Sequence, residues 1–201
     1  MSTQILHIER RGDFPYLTRF ESGDLICEPF RKENVSPRYL AWLNDPEVNR
    51  YSRRRFVQTS EEDALRFLSS FQSSTNQIMA ITLKTTGDHI GNLQLGPLDL
   101  EESHGEVRIL IGEKSQWGKG YATQAICGAC SYYFQVLGLH RVEAMSCNPG
   151  FIRAVQRLGW KEEGCLRERF PDGTARLDYR VFGILAAEFQ PLATIFTDEQ
   201  N

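Results

Sequence analysis

The chain has 201 residues, of which 41% are hydrophobic and 24% charged, and this suits one globular domain that buries a substantial core. The net charge of −3 gives no electrostatic argument for a nucleic-acid partner, and no apolar run approaches the roughly 20 residues that span a bilayer. The N-terminus lacks the apolar stretch of a secretory signal, and the five cysteines are an odd number typical of free thiols, so we expect a cytoplasmic protein.

The N-terminal third combines an extension with two predicted helices. Residues 1–22 show no clean periodicity and are interpreted as an extension of uncertain structure, and residues 25–30 predict a first strand. Ser36 and Pro37 form the favoured N-cap and N1 pair of a first helix. Ser60 begins a second helix through the pattern Ser-Glu-Glu-Asp. The loop between these helices is rich in arginine, with Arg50, Arg53, Arg54 and Arg55.

The remaining chain alternates strands with helices. A central strand at 107–111 precedes a glycine turn and an amphipathic helix. The other predicted strands are 78–83, 90–95, 141–147, 160–168 and 176–185, with a short helix at 151–158. This alternation indicates a mixed α/β layer fold in one domain, residues 23–190, followed by a tail at 191–201. Cys127 and Cys130 lie inside the central helix without a second pair, so we expect packing there and predict no metal site.

The glycine turn, Trp117-Gly118-Lys119-Gly120-Tyr121-Ala122-Thr123, is the most informative segment. The first N–H groups of a helix lack internal partners and lie at the positive end of the helix dipole, and glycine lets an anion approach the backbone. The turn therefore predicts a phosphate or pyrophosphate site, with a turn that binds no ligand as the alternative. Lys119 lies between the glycines, which excludes a Walker A loop, and Thr123 makes a dinucleotide fingerprint a poor fit.

Together with the preceding run Ile109-Leu110-Ile111-Gly112-Glu113-Lys114, this turn resembles the coenzyme A signature of the GNAT N-acetyltransferases. Gly120 and Ala122 match the last glycine and small residue of the superfamily motif, whereas Trp117 replaces its Gln or Arg. The resemblance is to the branch with ribosomal-protein N-terminal acetyltransferases and amino-sugar acetyltransferases, and residues 42–48 resemble the same branch. It covers about residues 24–186 and implies a mostly antiparallel sheet whose central strands splay apart around acetyl-CoA.

The resemblance implies acetyl-CoA-binding residues at the matching positions. These are Leu110, Ile111, Trp117, Gly118, Lys119, Gly120, Tyr121, Ala122, Thr123, Asn148 and Arg153. The family's backbone donor to the thioester carbonyl, at a bulge in the strand, matches about Leu110. Glu106, at the start of the central strand, is the candidate base for the amine, directly or through water, and a solvated glutamate is the alternative.

The family's usual general acid has no counterpart here. Phe151 occupies the position where the family often has Ser or Ala, and Val155 occupies the position of the Tyr that acts as general acid in the family. Either the thiolate leaves without a side-chain acid, or Ser146, Cys147 or Tyr179 protonates it. For Tyr179, packing of an aromatic strand residue is the alternative.

The sequence thus predicts an acetyl-CoA-dependent N-acetyltransferase. Arg53 and Arg54 are expected to bind an anionic group of the acceptor, which favours a nucleotide-linked amino sugar and disfavours a polyamine; a solvated basic loop is the alternative. A protein N-terminal amine is the second candidate acceptor. From a different class, an acyl-CoA-binding sensor without catalysis stays open, as does a homodimer.

Overall fold

The computed structural model describes residues 4–72, 74–191 and 194–198. The strands are β1 (Gln4–Arg11), β2 (Phe14–Ser22), β3 (Leu25–Pro29), β4 (Gln77–Leu83), β5 (His89–Asp99), β6 (His104–Ile111), β7 (Arg141–Ser146), β8 (Lys161–Asp172), β9 (Ala175–Leu185) and β10 (Thr194–Asp198). The α-helices are α1 (Pro37–Asn44), α2 (Glu61–Ser69), α3 (Tyr121–Ser131) and α4 (Pro149–Arg157). Short 3₁₀ segments lie at Lys32–Asn34, Arg53–Phe56 and Lys114–Gln116, and a π-helical turn at Tyr132–Val136.

All of these strands belong to one sheet in the order β10-β1-β2-β3-β4-β5-β6-β7-β9-β8. Neighbouring strands are antiparallel except for the pairs β6–β7 and β1–β10. The ladder between β6 and β7 ends at the pair Glu106 and Glu143, although β6 continues to Ile111 and β7 to Ser146. The two strands therefore separate after three residue pairs, as the resemblance implied.

The helix boundaries follow local capping chemistry. The Ser36 hydroxyl accepts a hydrogen bond from the Tyr39 N–H (3.2 Å), with Pro37 at N1, as predicted. Ser60 and Asp63 cap each other at the start of α2, also as predicted. Gly159, at φ +79°, ends α4, where the paired bonds from Gly159 and Trp160 form a Schellman motif.

Residues 4–22, interpreted as an extension of uncertain structure, form β1 and β2 of the main sheet. Leu6, Leu17 and Phe20 are fully buried in the core. The domain thus contains residues assigned to the extension, and no structural boundary lies at residue 23. Residues 194–198, assigned to the tail, pair with β1 as β10. Residues 1–3, 192–193 and 199–201 lie outside the described part of the chain.

The two faces of the sheet carry separate hydrophobic clusters. The larger contains the buried residues of α3 and α4, including Cys127 and Cys130, which pack in α3 as predicted. The smaller holds α1 and α2 through Tyr39, Trp42 and Ala64. None of the helices in the described residues is long and apolar enough to cross a membrane.

Candidate active site

A cavity of about 630 Å³ lies beside the ends of β6 and β7, where these strands have separated; we refer to it as the large cavity. This volume is typical of small-molecule sites, which span about 300–1,000 Å³. Its lining includes the predicted residues Leu110, Ile111, Trp117, Gly118, Gly120, Tyr121, Ala122, Thr123, Asn148 and Arg153. Lys119 does not line it, and its ammonium donates to the Gln116 side chain at 2.8 Å.

The end of β6 directs Ile111 into the gap between the strands. The N–H groups of Gly112 and Glu113 both donate to the Ile90 carbonyl, at 2.9 and 3.1 Å, which is a bulge against β5. Because backbone groups alternate in direction along a strand, those of Ile111 point away from β5. Consistently, the Trp117 indole donates to the Ile111 carbonyl at 2.8 Å.

The position predicted for a backbone donor, about Leu110, comes one residue before the N–H that points into the gap. The Leu110 N–H has the same direction as that of Gly112 and points towards β5, so the N–H directed at the gap belongs to Ile111. The bulge itself lies at Gly112 and Glu113, beyond the predicted position. The β5 backbone approaches so closely here that a Cβ on Gly91 would lie 2.1 Å from the Leu110 carbonyl oxygen.

The glycine turn leaves the start of α3 exposed to the large cavity. Gly118 and Gly120 have φ of +78° and +85°, and a Cβ on either would meet nothing within 4 Å. Gly120 is the N-cap and supplies no side chain to accept a hydrogen bond. The bond from the Gln124 N–H to the Gly120 carbonyl (3.1 Å) is the first of the helix, so the preceding N–H groups are left for a ligand.

Arginines give the large cavity an excess of positive charge. Arg153 and Arg157 are one turn apart on α4, exposed, and both line the cavity with Arg50. Among the described residues that line the cavity, Glu47 carries the one carboxylate. This carboxylate accepts a hydrogen bond from the Lys114 ammonium at 2.9 Å. The helix dipole and these guanidinium groups together favour an anionic ligand.

Glu106 lies at the last residue pair before β6 and β7 separate. Its side chain is 29% exposed, and its carboxylate is 2.7 Å from the Arg108 guanidinium. The Tyr133 hydroxyl donates to the Glu106 carbonyl at 2.6 Å, which anchors this point of the strand to the π-helical turn that follows α3. Glu106 is not among the described residues that line the large cavity.

The candidate acids have different surroundings. Phe151 lines the large cavity and Val155 is fully buried in the core. The Ser146 hydroxyl accepts from the Asn148 N–H at 3.0 Å. Burial raises the pKa of the Cys147 thiol, and burial likewise raises the pKa of the Tyr179 phenol, so both groups hold their protons at neutral pH.

Tyr179 belongs to another cavity, of about 430 Å³, between the arginine-rich loop and the β8–β9 hairpin; we refer to it as the small cavity. Its lining consists of Arg53, Phe56, Arg169, Phe170, Pro171 and Tyr179. Sequence reasoning missed Arg169. No local pattern distinguishes it, because its position depends on how the hairpin packs against a loop more than a hundred residues earlier.

The structure separates the two arginines predicted to act together. Arg53 lines the small cavity, whereas Arg54 packs over the Phe67 ring of α2, at 5.1 Å, and lines neither cavity. Arg55 is largely buried and pairs with Asp172 at 3.1 Å, and Arg50 approaches the same carboxylate at 3.6 Å.

A group of possible metal ligands, Asp99, Glu102 and His104, lies at the β5–β6 turn, with ligand atoms within 4.8 Å of one another. It lines neither cavity. Such partly exposed acidic groups are common without an ion.

The family model of the acetyltransferase (GNAT) domain matches residues 24–161. Among similar curated proteins, the uncharacterized N-acetyltransferase p20 of Bacillus licheniformis is 26% identical over 175 residues, covering 84% of this chain and 90% of the relative. Human alpha/beta-tubulin-N-acetyltransferase 9 is 28% identical over 167 residues, covering 76% and 79%.

Solved structures share the fold. The spermidine N-acetyltransferase from Vibrio cholerae, in complex with CoA and spermine, gives a TM-score of 0.72 at 20% identity and covers 82% of this chain and 97% of its own. A GNAT-family acetyltransferase from Bacillus anthracis gives a TM-score of 0.68 at 21% identity, covering 83% and 98%.

Proposed function

Because the chain belongs to the GNAT acetyltransferase family, and is thus an acyltransferase, we propose that it transfers the acetyl group of acetyl-CoA to a primary amine. The observation that carries the proposal is the large cavity, which combines the gap between β6 and β7 with the exposed start of α3. The residues of this cavity fit a ligand with several phosphates, because backbone N–H groups and arginines line it together.

We assign the pyrophosphate of acetyl-CoA to the glycine turn. The N–H groups of Tyr121, Ala122 and Thr123 precede the first helical bond, and Gly118 and Gly120 present no side chain in front of them. Arg153 and Arg157 would hold further phosphate charge from the side of α4. When bound, acetyl-CoA supplies a thioester whose carbonyl carbon an amine can attack, and the Ile111 N–H is the donor placed to polarise that carbonyl.

The protons of the reaction need two further groups. Glu106 is the proposed acceptor of the proton that the attacking amine loses, directly or through water. Ser146, Cys147 and Tyr179 stay the candidate proton donors to the leaving thiolate, with departure of the thiolate without a side-chain acid as the alternative. Tyr179 lines the small cavity, and none of the three is among the described residues that line the large cavity.

The acceptor proposed here is a nucleotide-linked amino sugar, whose diphosphate would contact Arg53. Two relatives suggest other amines: the tubulin N-acetyltransferase suggests a protein, and the spermidine N-acetyltransferase suggests a polyamine. A protein N-terminal amine is the alternative acceptor. An acyl-CoA sensor without catalysis is the alternative from another class, because a fold does not establish turnover.

Calorimetry with acetyl-CoA, followed by a free-thiol assay with a panel of amines, tests the proposal. We expect saturable acetyl-CoA binding and thiol release that depends on the amine. The panel contains a nucleotide-linked amino sugar, N-terminal peptides and spermidine. Binding without thiol release on any amine would instead support the sensor, and the absence of acetyl-CoA binding would contradict both.

A further inference from the structure

We infer that the small cavity is the acceptor's anion subsite, in which Arg53 and Arg169 bind a phosphate or diphosphate group of a small-molecule amine. This inference rests on the proposed acetyl transfer and adds the cavity that binds the acceptor's anion and a second specificity-determining residue, Arg169. Arg169 comes from β8 and Arg53 from the loop after α1, so the subsite exists only once the hairpin has packed against the loop.

The neighbouring arginines have partners in the structure that the arginines of the subsite lack. Asp172 pairs with Arg55 and lies 3.6 Å from Arg50, and Arg54 lies over the Phe67 ring. Within the described part of the chain, the guanidinium groups of Arg53 and Arg169 form neither a hydrogen bond nor an ion pair with another side chain. The small cavity therefore presents two cations whose donors are free for a ligand.

The described lining of the small cavity contains no carboxylate. A cation such as spermidine would meet two positive charges there without compensation, whereas a diphosphate would match them. Arginine is also suited to this role by its planar fork, which forms two parallel hydrogen bonds to a phosphate.

Aromatic packing orders the hairpin side of the subsite, and Arg53 is an exposed side chain on the loop side. Phe170 is 2% exposed and forms the floor, with the Arg55 guanidinium over its ring at 4.5 Å. The Tyr179 and Phe170 rings are stacked, with their centroids 5.7 Å apart. The Arg169 guanidinium lies over the Tyr179 ring, also 5.7 Å from its centroid. Phe56 is 61% exposed at the rim and offers an apolar surface for a sugar or base. An ordered hairpin side reduces the entropy that is lost when an acceptor binds.

The test compares two amines that differ in the anion. We expect kcat/KM for glucosamine 6-phosphate or UDP-glucosamine to exceed that for glucosamine by at least about tenfold, the scale of hydrogen bonds to charged groups. The double variant Arg53→Gln/Arg169→Gln should remove this preference, so that the variant uses both kinds of amine equally, and it should leave the affinity for acetyl-CoA unchanged. Arg10→Gln removes one exposed charge on β1 and should keep the preference.

A binding measurement separates this inference from the proposed function. Calorimetry with UDP-N-acetylglucosamine, in the presence of CoA, should show binding by the parent that the double variant lacks, whether or not any amine is acetylated. Equal use of glucosamine, spermidine and the phosphorylated amines would overturn the anion subsite. So would a preference for N-terminal peptides over every phosphorylated amine, or sugar-nucleotide binding that survives in the double variant.

Discussion

Two features favour glycine at position 120. Its backbone is in the left-handed region, and it lies in front of the N–H groups at the start of α3. The Gly120→Val variant would extend a side chain into the large cavity, because open space surrounds the Cβ position. We therefore expect the affinity for acetyl-CoA to fall by at least about tenfold, or roughly 1.4 kcal/mol, in calorimetry.

Gly87 provides the matched control for the strain that Val introduces at Gly120. It has φ +73°, open space at its Cβ position and a place in the β4–β5 turn, away from both cavities. Gly87→Val should carry a similar backbone cost, since both glycines adopt a left-handed conformation, and should bind acetyl-CoA as the parent does. Unchanged affinity in a folded Gly120→Val protein would remove the turn from the binding site.

Glu106 gives a second prediction at the scale of one side chain. If it accepts the proton of the amine, Glu106→Gln should lower kcat by roughly 10²-fold, the scale of general-base catalysis, with little change in acetyl-CoA affinity. Its ion pair with Arg108 supports the alternative of a structural role. Glu101→Gln, at an exposed position in the β5–β6 turn, is the control. A kcat near that of the parent between about pH 6 and 9 would show that Glu106 is not the base.

Elements set by local chemistry were predicted well from the sequence. The starts of α1 and α2 follow from Ser36 and Ser60, whose hydroxyls cap N–H groups three residues later. The N-terminal hairpin was missed because the alternation of buried and exposed residues is broken on β2. The register shifts between His7 and Ile8, so Leu17 and Phe20 are both buried although they are three residues apart. A buried Gln4, bonded to Ser131, further conceals the pattern.

The packing of β2 on α3 yields a prediction about that hairpin. A Cβ on Gly128 would lie 2.2 Å from the Phe20 ring, which is fully buried. Gly128→Ala should therefore lower the free energy of unfolding in urea by about 1–3 kcal/mol, the usual cost of overpacking. Adding Phe20→Leu should give a loss smaller than the sum of the single losses, because the shorter side chain makes room.

Gly164 on β8 is the control for this helix contact. Its φ is not in the left-handed region, and a Cβ there would meet nothing within 4 Å. Gly164→Ala should thus change the free energy of unfolding by no more than about 0.5 kcal/mol. If Gly128→Ala were equally neutral, the hairpin would not pack on α3 as described.

At the scale of the molecule, the lining of the large cavity was more predictable than that of the small cavity. The glycine turn is continuous in sequence, so its residues reach the cavity together, apart from Lys119. Which arginines of the loop form ion pairs depends instead on Asp172, which is 117 residues from Arg55. Sequence alone could not distinguish a paired Arg55 from an unpaired Arg53, and it could not bring Arg169 to the same cavity.

The pairing of Arg50 and Arg55 with Asp172 ties the loop after α1 to the tip of the β8–β9 hairpin, and so joins two distant parts of the chain around the small cavity. Asp172→Asn keeps the shape of the side chain and removes its charge. Because Arg55 is only 14% exposed, losing its partner should lower the free energy of unfolding by about 1–3 kcal/mol.

The same variant should raise KM for the acceptor by at least about threefold. The reason is that the loop and the hairpin, which line the small cavity from two sides, are no longer held together by the ion pair. The affinity for acetyl-CoA should not fall, because Arg50, the partner of Asp172 that lines the large cavity, keeps its positive charge in this variant. Asp13→Asn, in the exposed turn between β1 and β2, removes a charge elsewhere and should change neither quantity. Urea unfolding and steady-state kinetics measure both effects. If Asp172→Asn matched the Asp13 control in both, the contact would be a surface ion pair with no part in shaping the acceptor side.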